Sequence, residues 1–308
     1  MSETIQISIV SPVYMAEDFL QELVERIKQN IKSISNNFEI ILVEDGSSDG
    51  SWKKIKELKA SHSEIVGIKL SKNFGQHAAI HAGLEQAVGE WVIVLDCDLQ
   101  DDPAHFIDLF KKAKEGWDVV LARRVNRNDS LIKRVFSKLF YSVLGYLTDT
   151  KQDSSIANYG IYHKDVIEAL GEMKDYIKYF PSSVNWVGFN KTTIEVDHHA
   201  RSFGKSSYSY RKLIRLGLNV VLSFSDKPLR IVIKTGIILS FISMLIALHY
   251  LVKYFSGEIL ISGFTSLIVS IWFLTGIIIT TIGMAGLYIG RIFDQTKERP
   301  VYIIQKKI

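Results

Sequence analysis

The sequence of 308 residues predicts an α/β protein in which a mostly parallel sheet domain precedes amphipathic helices and two transmembrane helices. Short apolar runs alternate with segments of helical periodicity over residues 1–125, and this alternation is typical of a parallel sheet covered on both faces. Polar residues cluster where the apolar runs end. Near the C terminus, residues 235–252 and 259–290 contain no charged side chain, which indicates helices that cross a membrane.

Five apolar runs predict the strands of the sheet, at residues 5–10, 38–43, 65–70, 91–95 and 117–122. Apolar residues at helical spacing occupy the intervals, at residues 18–35, 75–88 and 103–115. A shorter helix after the second strand has Trp52, Ile55 and Leu58 on one face. Strands joined by helical crossovers are parallel, so we expect their carboxyl ends to share one edge of the sheet.

Polar clusters follow four of these strands, at residues 12–14, 44–49, 72–76 and 96–102. In open parallel sheets, ligands bind at the carboxyl ends of strands. Asp96 and Asp98 point to one side of an extended segment, and Gln100 adds a carbonyl oxygen. Such oxygen ligands suit Mg²⁺ or Mn²⁺ holding a diphosphate. The alternative interpretation is a solvated acidic loop that caps the next helix.

Several other ligand sites are disfavoured because their motifs are incomplete. No GxGxxG follows the first strand, and Gly-Lys-Ser at 204–206 lacks the upstream glycine of a P-loop, since His199 occupies that position. A dehydrogenase or a P-loop NTPase is therefore not expected. His77 and His81 have the spacing of one helical face, but no third zinc ligand has suitable spacing. Cys97 is the single cysteine, which excludes a disulfide within the chain.

Two segments predict amphipathic helices at a membrane interface, at residues 130–147 and 208–224. The first has one apolar stripe, with Lys133, Arg134 and Lys138 away from it. The alternative is a helix that packs against the sheet, as most amphipathic helices do.

We place the two transmembrane helices at about residues 232–252 and 264–289, and a buried hairpin of core helices is the weaker alternative. Basic residues flank the outer ends of this pair: Lys227, Arg230 and Lys234 before it, and Arg291, Lys297, Arg299, Lys306 and Lys307 after it. The connecting segment carries only Lys253 and Glu258. This bias predicts that both outer flanks are cytoplasmic.

The expected organisation is a cytoplasmic domain at residues 1–225 and a membrane domain at residues 226–308, in a multi-pass protein of the cytoplasmic (inner) membrane with both termini cytoplasmic. The net charge is only +4, so bulk charge gives no reason to expect binding to nucleic acid.

Four motifs resemble those of the family 2 glycosyltransferases of GT-A fold: SIVSPVY at 8–14, VEDGSSDG at 43–50, NFG at 73–75 and DCDLQ at 96–100. The DCDLQ motif, together with RSFGKSSY at 201–208 and the two terminal spans, resembles the polyprenyl-phosphate branch. That branch includes dolichyl-phosphate mannose synthase and enzymes that load sugars onto undecaprenyl phosphate. The resemblance covers nearly all of the chain and implies a Rossmann-like GT-A domain.

The resemblance also implies a role for individual residues. The nucleotide sugar would contact Pro12, Tyr14, Asp45, Lys72 and Asp96. The divalent metal, Mg²⁺ or Mn²⁺, would be held by Asp96, Asp98 and Gln100. The acceptor phosphate would be bound by Arg124, Arg134, Arg201 and Ser206. The expected catalytic residues are Asp96, Asp98 and Asp153, the last as an additional acid/base or orienting carboxylate.

The implied reaction moves a single sugar, with inversion, from a nucleotide sugar to polyprenyl (undecaprenyl) phosphate at the cytoplasmic face of the membrane. UDP is the expected nucleotide, and GDP remains open. The acceptor phosphate is already anionic near neutral pH, so its attack has little need of a strong base. Two alternatives are a transferase acting on another lipid hydroxyl and a non-catalytic membrane scaffold.

The resemblance also implies partner proteins. The product would be carried across the membrane by a separate flippase and used by a downstream transferase. Gly286 and Gly290 form a GxxxG pattern in the second span, which favours close helix packing and a homo-oligomer.

Overall fold

The computed structural model describes residues 6–125, 145–147, 156–173, 175, 179–197, 221, 225–256 and 263–308. Contacts divide the chain into two compact units. The first contains the described residues up to 145, those from 156 to 197 and those from 299 to 308. The second contains residues 146 and 147 and the described residues from 221 to 298.

An eight-stranded sheet forms the centre of the first unit. Its strands are β1 (Ile7–Val13), β2 (Phe38–Glu44), β3 (Ile65–Leu70), β4 (Trp91–Val94), β5 (Val119–Val125), β6 (Ile156–His163), β7 (Lys191–Asp197) and β8 (Ile304–Lys307). They lie in the order β7-β5-β6-β4-β1-β2-β3-β8. β1 pairs in parallel with β2 and β4, so that Ile9 stands opposite Ile40 and Ile93. β6 and β8 are antiparallel to their neighbours.

The predicted α/β class with a mostly parallel sheet is confirmed, and β1 to β5 coincide closely with the five predicted strands. The sequence analysis did not identify β6, β7 or β8. β7 reads Lys-Thr-Thr-Ile-Glu-Val-Asp and β8 reads Ile-Gln-Lys-Lys, and neither is a continuous apolar run. Both are edge strands, which need less burial than central ones and so leave a weak signal in the sequence.

Helices cover both faces of the sheet. α1 (Leu20–Ile31), α2 (Ser51–Ser61) and α4 (Phe106–Ala113) contribute to one apolar core, and α3 (Gln76–Leu84), α5 (Lys164–Glu172) and α6 (Phe180–Trp186) contribute to the other. Successive residues of each strand alternate between the cores, because side chains point to opposite faces. In β2, for example, Ile40 and Leu42 join the first core, and Ile41 and Val43 join the second.

The C-terminal residues return to this sheet. β8 pairs with the outer edge of β3, and Gly67 and Ile308 exchange backbone hydrogen bonds of 3.1 and 2.9 Å. The structure therefore differs from the expected boundary at the C terminus, since residues 299–308 belong to the first unit.

Two long helices dominate the second unit, α7 (Lys227–Phe255) and α8 (Phe264–Thr296). Both are long and apolar enough to cross a membrane, and their most apolar windows have mean hydropathies of 2.0 and 1.8 with no residue buried. The predicted spans at 232–252 and 264–289 lie within these helices. The predicted amphipathic helices at 130–147 and 208–224 fall almost entirely outside the described residues.

Candidate active site

The carboxyl edge of the sheet brings the predicted polar clusters together. β1, β2, β3 and β4 run in parallel and end at Val13, Glu44, Leu70 and Val94, so the segments that follow all emerge at one edge. β5 lies in parallel with β7 and antiparallel to β6, which places Arg124 at the same edge. Asp45, Asp96 and Asp98 follow directly after the strands that carry them.

Asp45 fixes the segment that joins β3 to α3. Its side chain is buried, and its two oxygens accept the backbone N–H groups of Phe74 at 2.7 Å and Gly75 at 2.9 Å. Burial raises the pKa of Asp45 to about 6; the two backbone hydrogen bonds oppose this rise, and the charge of Glu44 adds to it. The carboxylate therefore has a structural function as well as any contact with a ligand.

The loop after β2 contacts the loop after β3 at Gly46. Gly46 has φ +64°, and a Cβ built there would lie 2.3 Å from the backbone nitrogen of Asn73. A side chain at this position would clash with rigid backbone, so only glycine permits the contact. The approach brings the Asp45 loop against the segment that begins at Lys72.

Asp96 is held from the side by α3. Gln76, the first residue of that helix, donates its Nε2 to Asp96 Oδ1 at 2.6 Å. Two residues on, Asp98 Oδ1 accepts the backbone N–H of Gln100 at 3.2 Å. Leu99 between them is buried and has φ +60°, a left-handed conformation that costs energy for a residue other than glycine. The acidic motif is therefore a tight turn rather than a solvated loop.

Negative charge is concentrated around Asp96. Burial, together with the neighbouring charges of Asp101 and Asp98, raises its pKa to about 7, while Arg124 and the Gln76 hydrogen bond oppose the rise. Such a site favours a cation that offsets the repulsion. No group of three His, Cys, Asp or Glu side chains among the described residues has the geometry to hold a metal ion. The donor set fits Mg²⁺ or Mn²⁺ held by one or two carboxylates, with substrate phosphates supplying further ligands.

Arg124 forms an ion pair with Asp101. Its NH2 group donates to Asp101 Oδ1 at 2.8 Å, and the Asp101 side chain is almost fully buried. The pair joins the end of β5 to the loop after β4. Within the described part of the chain, Nε of Arg124 is buried without an acceptor. The ion pair therefore holds the Arg124 guanidinium in place at this edge of the sheet.

The remaining described residues of the predicted donor pocket differ in exposure. Pro12 is buried at the end of β1, whereas Tyr14 is 49% exposed. Lys72 is exposed, and its Nζ lies 5.1 Å from the ring centroid of Phe74. The side chains of Tyr14 and Lys72 are therefore accessible at the carboxyl edge.

A comparison with protein families identifies the chain. The model of glycosyl transferase family 2 matches residues 8–180, which is more than half of its length. The chain belongs to glycosyl transferase family 2. The matched residues include all of β1 except Ile7, all of β2 to β6, and all four motifs that carried the resemblance.

The family assignment extends over the whole chain in one curated relative. An undecaprenyl-phosphate 4-deoxy-4-formamido-L-arabinose transferase of Proteus mirabilis is 34% identical over 310 residues, which cover 98% of this chain and 94% of the relative. The similarity therefore includes the C-terminal helices as well as the family 2 domain.

Solved structures share the fold of this family 2 domain. Glucosyl-3-phosphoglycerate synthase from Mycobacterium tuberculosis, in complex with Mn²⁺, UDP-glucose and phosphoglyceric acid, superposes with a TM-score of 0.53 at 14% identity, covering 71% of this chain and 78% of that one. The mannosyltransferase PcManGT from Pyrobaculum calidifontis, in complex with GDP-Man and Mn²⁺, has a TM-score of 0.50 at 14% identity over 97% of this chain and 89% of that one. The GT-A fold is thus confirmed.

Four of the residues predicted for this family 2 site lie outside the described residues, namely Asp153, Arg134, Arg201 and Ser206. The structure tests none of their roles. Two further residues that contact the site were not predicted as site residues: Gln76, which contacts Asp96, and Asp101, which contacts Arg124. Both stand beside recognised motifs, but only their position in the folded chain shows which partner each contacts.

Proposed function

We propose that this family 2 glycosyltransferase moves a single sugar from a nucleotide sugar to polyprenyl phosphate, of the undecaprenyl type, with inversion. The observation that carries the proposal is the full-length similarity to an undecaprenyl-phosphate sugar transferase, which includes the two apolar helices beyond the family 2 domain. A transferase with a soluble acceptor has no need of such helices.

We assign the donor nucleotide to the β1 and β2 side of the carboxyl edge. Tyr14 is exposed there and suits stacking against a base, while Asp45 suits a base N–H and Lys72 suits a phosphate. UDP is the proposed nucleotide, and UDP-glucose in the fold relative from Mycobacterium tuberculosis supports it. GDP-Man in the archaeal mannosyltransferase keeps a guanine nucleotide as the competing donor.

We assign the divalent metal to Asp96, Asp98 and Gln100. The feature that supports a cation there is the presence of the Asp98 and Asp101 charges beside Asp96, whose pKa burial and these two charges raise. A bound Mg²⁺ or Mn²⁺ supplies a Lewis acid that offsets the charge of the departing nucleoside diphosphate. Asp96 and Asp98 would therefore hold the cation beside the diphosphate, and the left-handed Leu99 and the hydrogen bond from Gln100 N–H to Asp98 fix the turn that follows Asp98.

We assign the acceptor phosphate to the β5 side of the edge. Arg124 is held there by Asp101 and is partly buried, so its planar donors are oriented before a ligand arrives. Arg134, Arg201 and Ser206 complete the proposed phosphate site, and Asp153 is the proposed orienting carboxylate. An oxygen of the lipid phosphate attacks the anomeric carbon, the bond to the nucleoside diphosphate breaks, and the configuration inverts.

We also propose that catalysis takes place at the cytoplasmic face of the inner membrane, with α7 and α8 as a two-span anchor. The basic residues that flank the pair support this orientation. A separate flippase and a downstream transferase would then use the lipid-linked sugar, and the GxxxG pattern in α8 supports a homo-oligomer.

The proposal is tested by incubating purified full-length protein with undecaprenyl phosphate, Mg²⁺ or Mn²⁺ and a panel of UDP- and GDP-sugars, and by reading lipid products by mass spectrometry. We expect one lipid-phosphate-sugar ion from one donor. Asp98→Ala should reduce turnover by at least about 100-fold, since it removes a ligand of the metal that offsets the charge on the diphosphate. The control Asp108→Ala, an exposed carboxylate on α4, should remain active.

Each other outcome points to a stated alternative. Nucleotide binding without any polyprenyl-phosphate sugar, together with glycosylation of diacylglycerol or a ceramide, would favour the lipid-hydroxyl alternative. If the wild-type protein shows neither turnover nor nucleotide binding, a non-catalytic scaffold is favoured. Full activity of Asp98→Ala would contradict the metal assignment alone.

A further inference from the structure

One side chain outside the four recognised motifs reaches the acidic centre of the site. Gln76 is half-buried at the start of α3, and its amide nitrogen lies 2.6 Å from Asp96 Oδ1. It is a neutral donor to a carboxylate that already has the negative charges of Asp98 and Asp101 beside it.

The backbone on the N-terminal side of Gln76 is fixed by Asp45. Phe74 and Gly75 both donate backbone N–H groups to the Asp45 carboxylate. Gly75 then adopts φ +96° and ψ 154°, a conformation that L side chains rarely adopt, and the helix begins at the next residue. Gln76 is therefore presented from a rigid turn rather than from a mobile loop.

Residues 74–76 thus connect two carboxylates that belong to different strands. Asp45 follows β2 and Asp96 follows β4, and β1 lies between these strands in the sheet. The contacts run from Asp45 through the backbone of Phe74 and Gly75 to the side chain of Gln76, and from there to Asp96. No other hydrogen bond within the described residues makes a direct link from this segment to the acidic motif.

We infer that Gln76 is a positioning residue, which orients the Asp96 carboxylate for the divalent ion and ties that orientation to the loop held by Asp45. The inference rests on the proposed function, because it presupposes that Asp96 faces a metal-bound diphosphate. A hydrogen bond to one oxygen fixes the rotation of a carboxylate about its terminal bond, which leaves the second oxygen in a defined direction. Partners of this kind commonly change metal affinity by about 10- to 100-fold when they are removed.

The test is Gln76→Met, which keeps the length of the side chain and removes the amide donor. The full-length protein in detergent is saturated with UDP, or with GDP if only GDP binds, and Mn²⁺ is titrated while free Mn²⁺ is followed by electron paramagnetic resonance. We expect the dissociation constant for Mn²⁺ to rise by about 10- to 100-fold. In turnover assays the Mn²⁺ concentration for half-maximal rate should rise to the same degree, whereas the rate at saturating Mn²⁺ should recover most of its wild-type value.

Gln21→Met is a matched control. Gln21 Nε2 donates to Glu25 Oε1 at 2.7 Å on the exposed face of α1, so this variant breaks a similar amide–carboxylate contact away from the site. We expect it to leave Mn²⁺ affinity unchanged. Gln76→Asn serves as a second variant, because it keeps an amide but shortens its reach, and it should behave like Gln76→Met.

Three outcomes would overturn the inference, and they are distinguishable. Wild-type Mn²⁺ affinity in both Gln76 variants would remove the positioning role and leave the proposed function intact. An equal loss of nucleotide affinity with and without Mn²⁺, accompanied by a lower melting temperature, would show that Gln76 only stabilises the start of α3. If the wild-type protein binds no Mn²⁺ in the presence of either UDP or GDP, the metal assignment of the proposed function is overturned, and this inference with it.

Discussion

At the scale of single residues, Asp45 illustrates how a ligand-binding candidate is also part of the framework. It is almost fully buried, and its two oxygens accept backbone N–H groups from the loop after β3. Hydrogen bonds to the ionised form lower a carboxyl pKa and burial raises it. Burial dominates here and sets the pKa of Asp45 to about 6.

This shift predicts a specific pH dependence of stability. The ordinary pKa of the group is 3.8, so between about pH 4 and pH 6 the folded state binds more protons at Asp45 than the unfolded state does. The contribution of Asp45 to the free energy of unfolding therefore falls as pH rises through this range, by up to about 3 kcal/mol. Asp45→Asn should lose this part of the pH dependence.

The measurement is the melting temperature of detergent-solubilised protein between pH 4.5 and pH 7.5. The difference in stability between wild type and Asp45→Asn should shrink, or reverse in favour of the variant, as pH rises. Asp108→Asn on the exposed face of α4 is the control and should follow the wild-type curve. Parallel curves for wild type and Asp45→Asn would contradict the prediction.

Arg124 shows how the folded structure refines a predicted role. The sequence analysis assigned this residue to the acceptor phosphate, and the structure shows it in a partly buried ion pair with Asp101. Removing one member of such a pair leaves a buried charge without its partner, which is strongly destabilising. Its binding to the acceptor phosphate remains a proposal. An activity assay of an Arg124 variant therefore needs a melting temperature beside it, which distinguishes lost binding from lost folding.

At the scale of secondary-structure elements, β8 is a short strand of polar sequence that is held by its surroundings. All four of its residues are exposed. Two hydrogen bonds hold its ends: Ser71 donates its N–H to Ile303 O at 2.9 Å, and Lys307 Nζ donates to Gln86 Oε1 at 2.6 Å. β8 thus covers an edge of the sheet that would otherwise be open to pairing with another chain.

Ile308 anchors this strand and gives a prediction. Gly67 has no side chain, and a Cβ there would lie 2.8 Å from Ile308 Cγ1, so the isoleucine packs directly over the glycine and joins the core beneath it. Ile308→Ala should destabilise the first unit by about 1–2 kcal/mol, because the side chain is only partly buried. Amide hydrogen exchange at Gly67 should accelerate in parallel.

The matched control is Ile303→Ala, which removes the same atoms from a side chain that is 51% exposed. Its backbone hydrogen bond to Ser71 remains possible, so we expect little change in melting temperature or exchange. Similar losses in the two variants would show that Ile308 contributes no more than an exposed residue.

At the scale of the whole molecule, the sheet combines strands from both ends of the chain. β1 is close to the N terminus and β8 is at the C terminus, and α7 and α8 come between them in sequence. Because β1 and β8 belong to one sheet, the chain must return to the side from which it left. If α7 and α8 cross a membrane, both must do so.

This constraint puts both flanks on one side of the membrane, and the basic residues beside the two helices predict that this side is cytoplasmic. In a Cys97→Ser background, a membrane-impermeant maleimide applied to intact bacterial cells should label Ser256→Cys, at the end of α7, and should not label Ser33→Cys or Lys306→Cys. Permeabilised cells should show labelling at all three positions, since each of these residues is exposed. Labelling of Ser33→Cys but not Ser256→Cys in intact cells would reverse the orientation.

Local sequence patterns were sufficient to predict the elements that are apolar along their length. Strands β1 to β5 are apolar because helices cover both of their faces, and α7 and α8 are apolar on all sides, so each was visible as a local pattern. The motif residues Asp45, Asp96 and Asp98 were also identified in this way, because each directly follows such a strand.

Contacts between segments that are distant in sequence became visible only in the folded chain. Gln76 meets Asp96, Asp101 meets Arg124, and Ile308 covers Gly67, yet none of these pairs has a local spacing that marks it. The physical reason is that a side-chain hydrogen bond or a packed edge strand depends on sheet order and on backbone turns at a few residues such as Gly75 and Leu99. Hydrophobic periodicity reports which face is buried, but it does not report which partner a polar group finds.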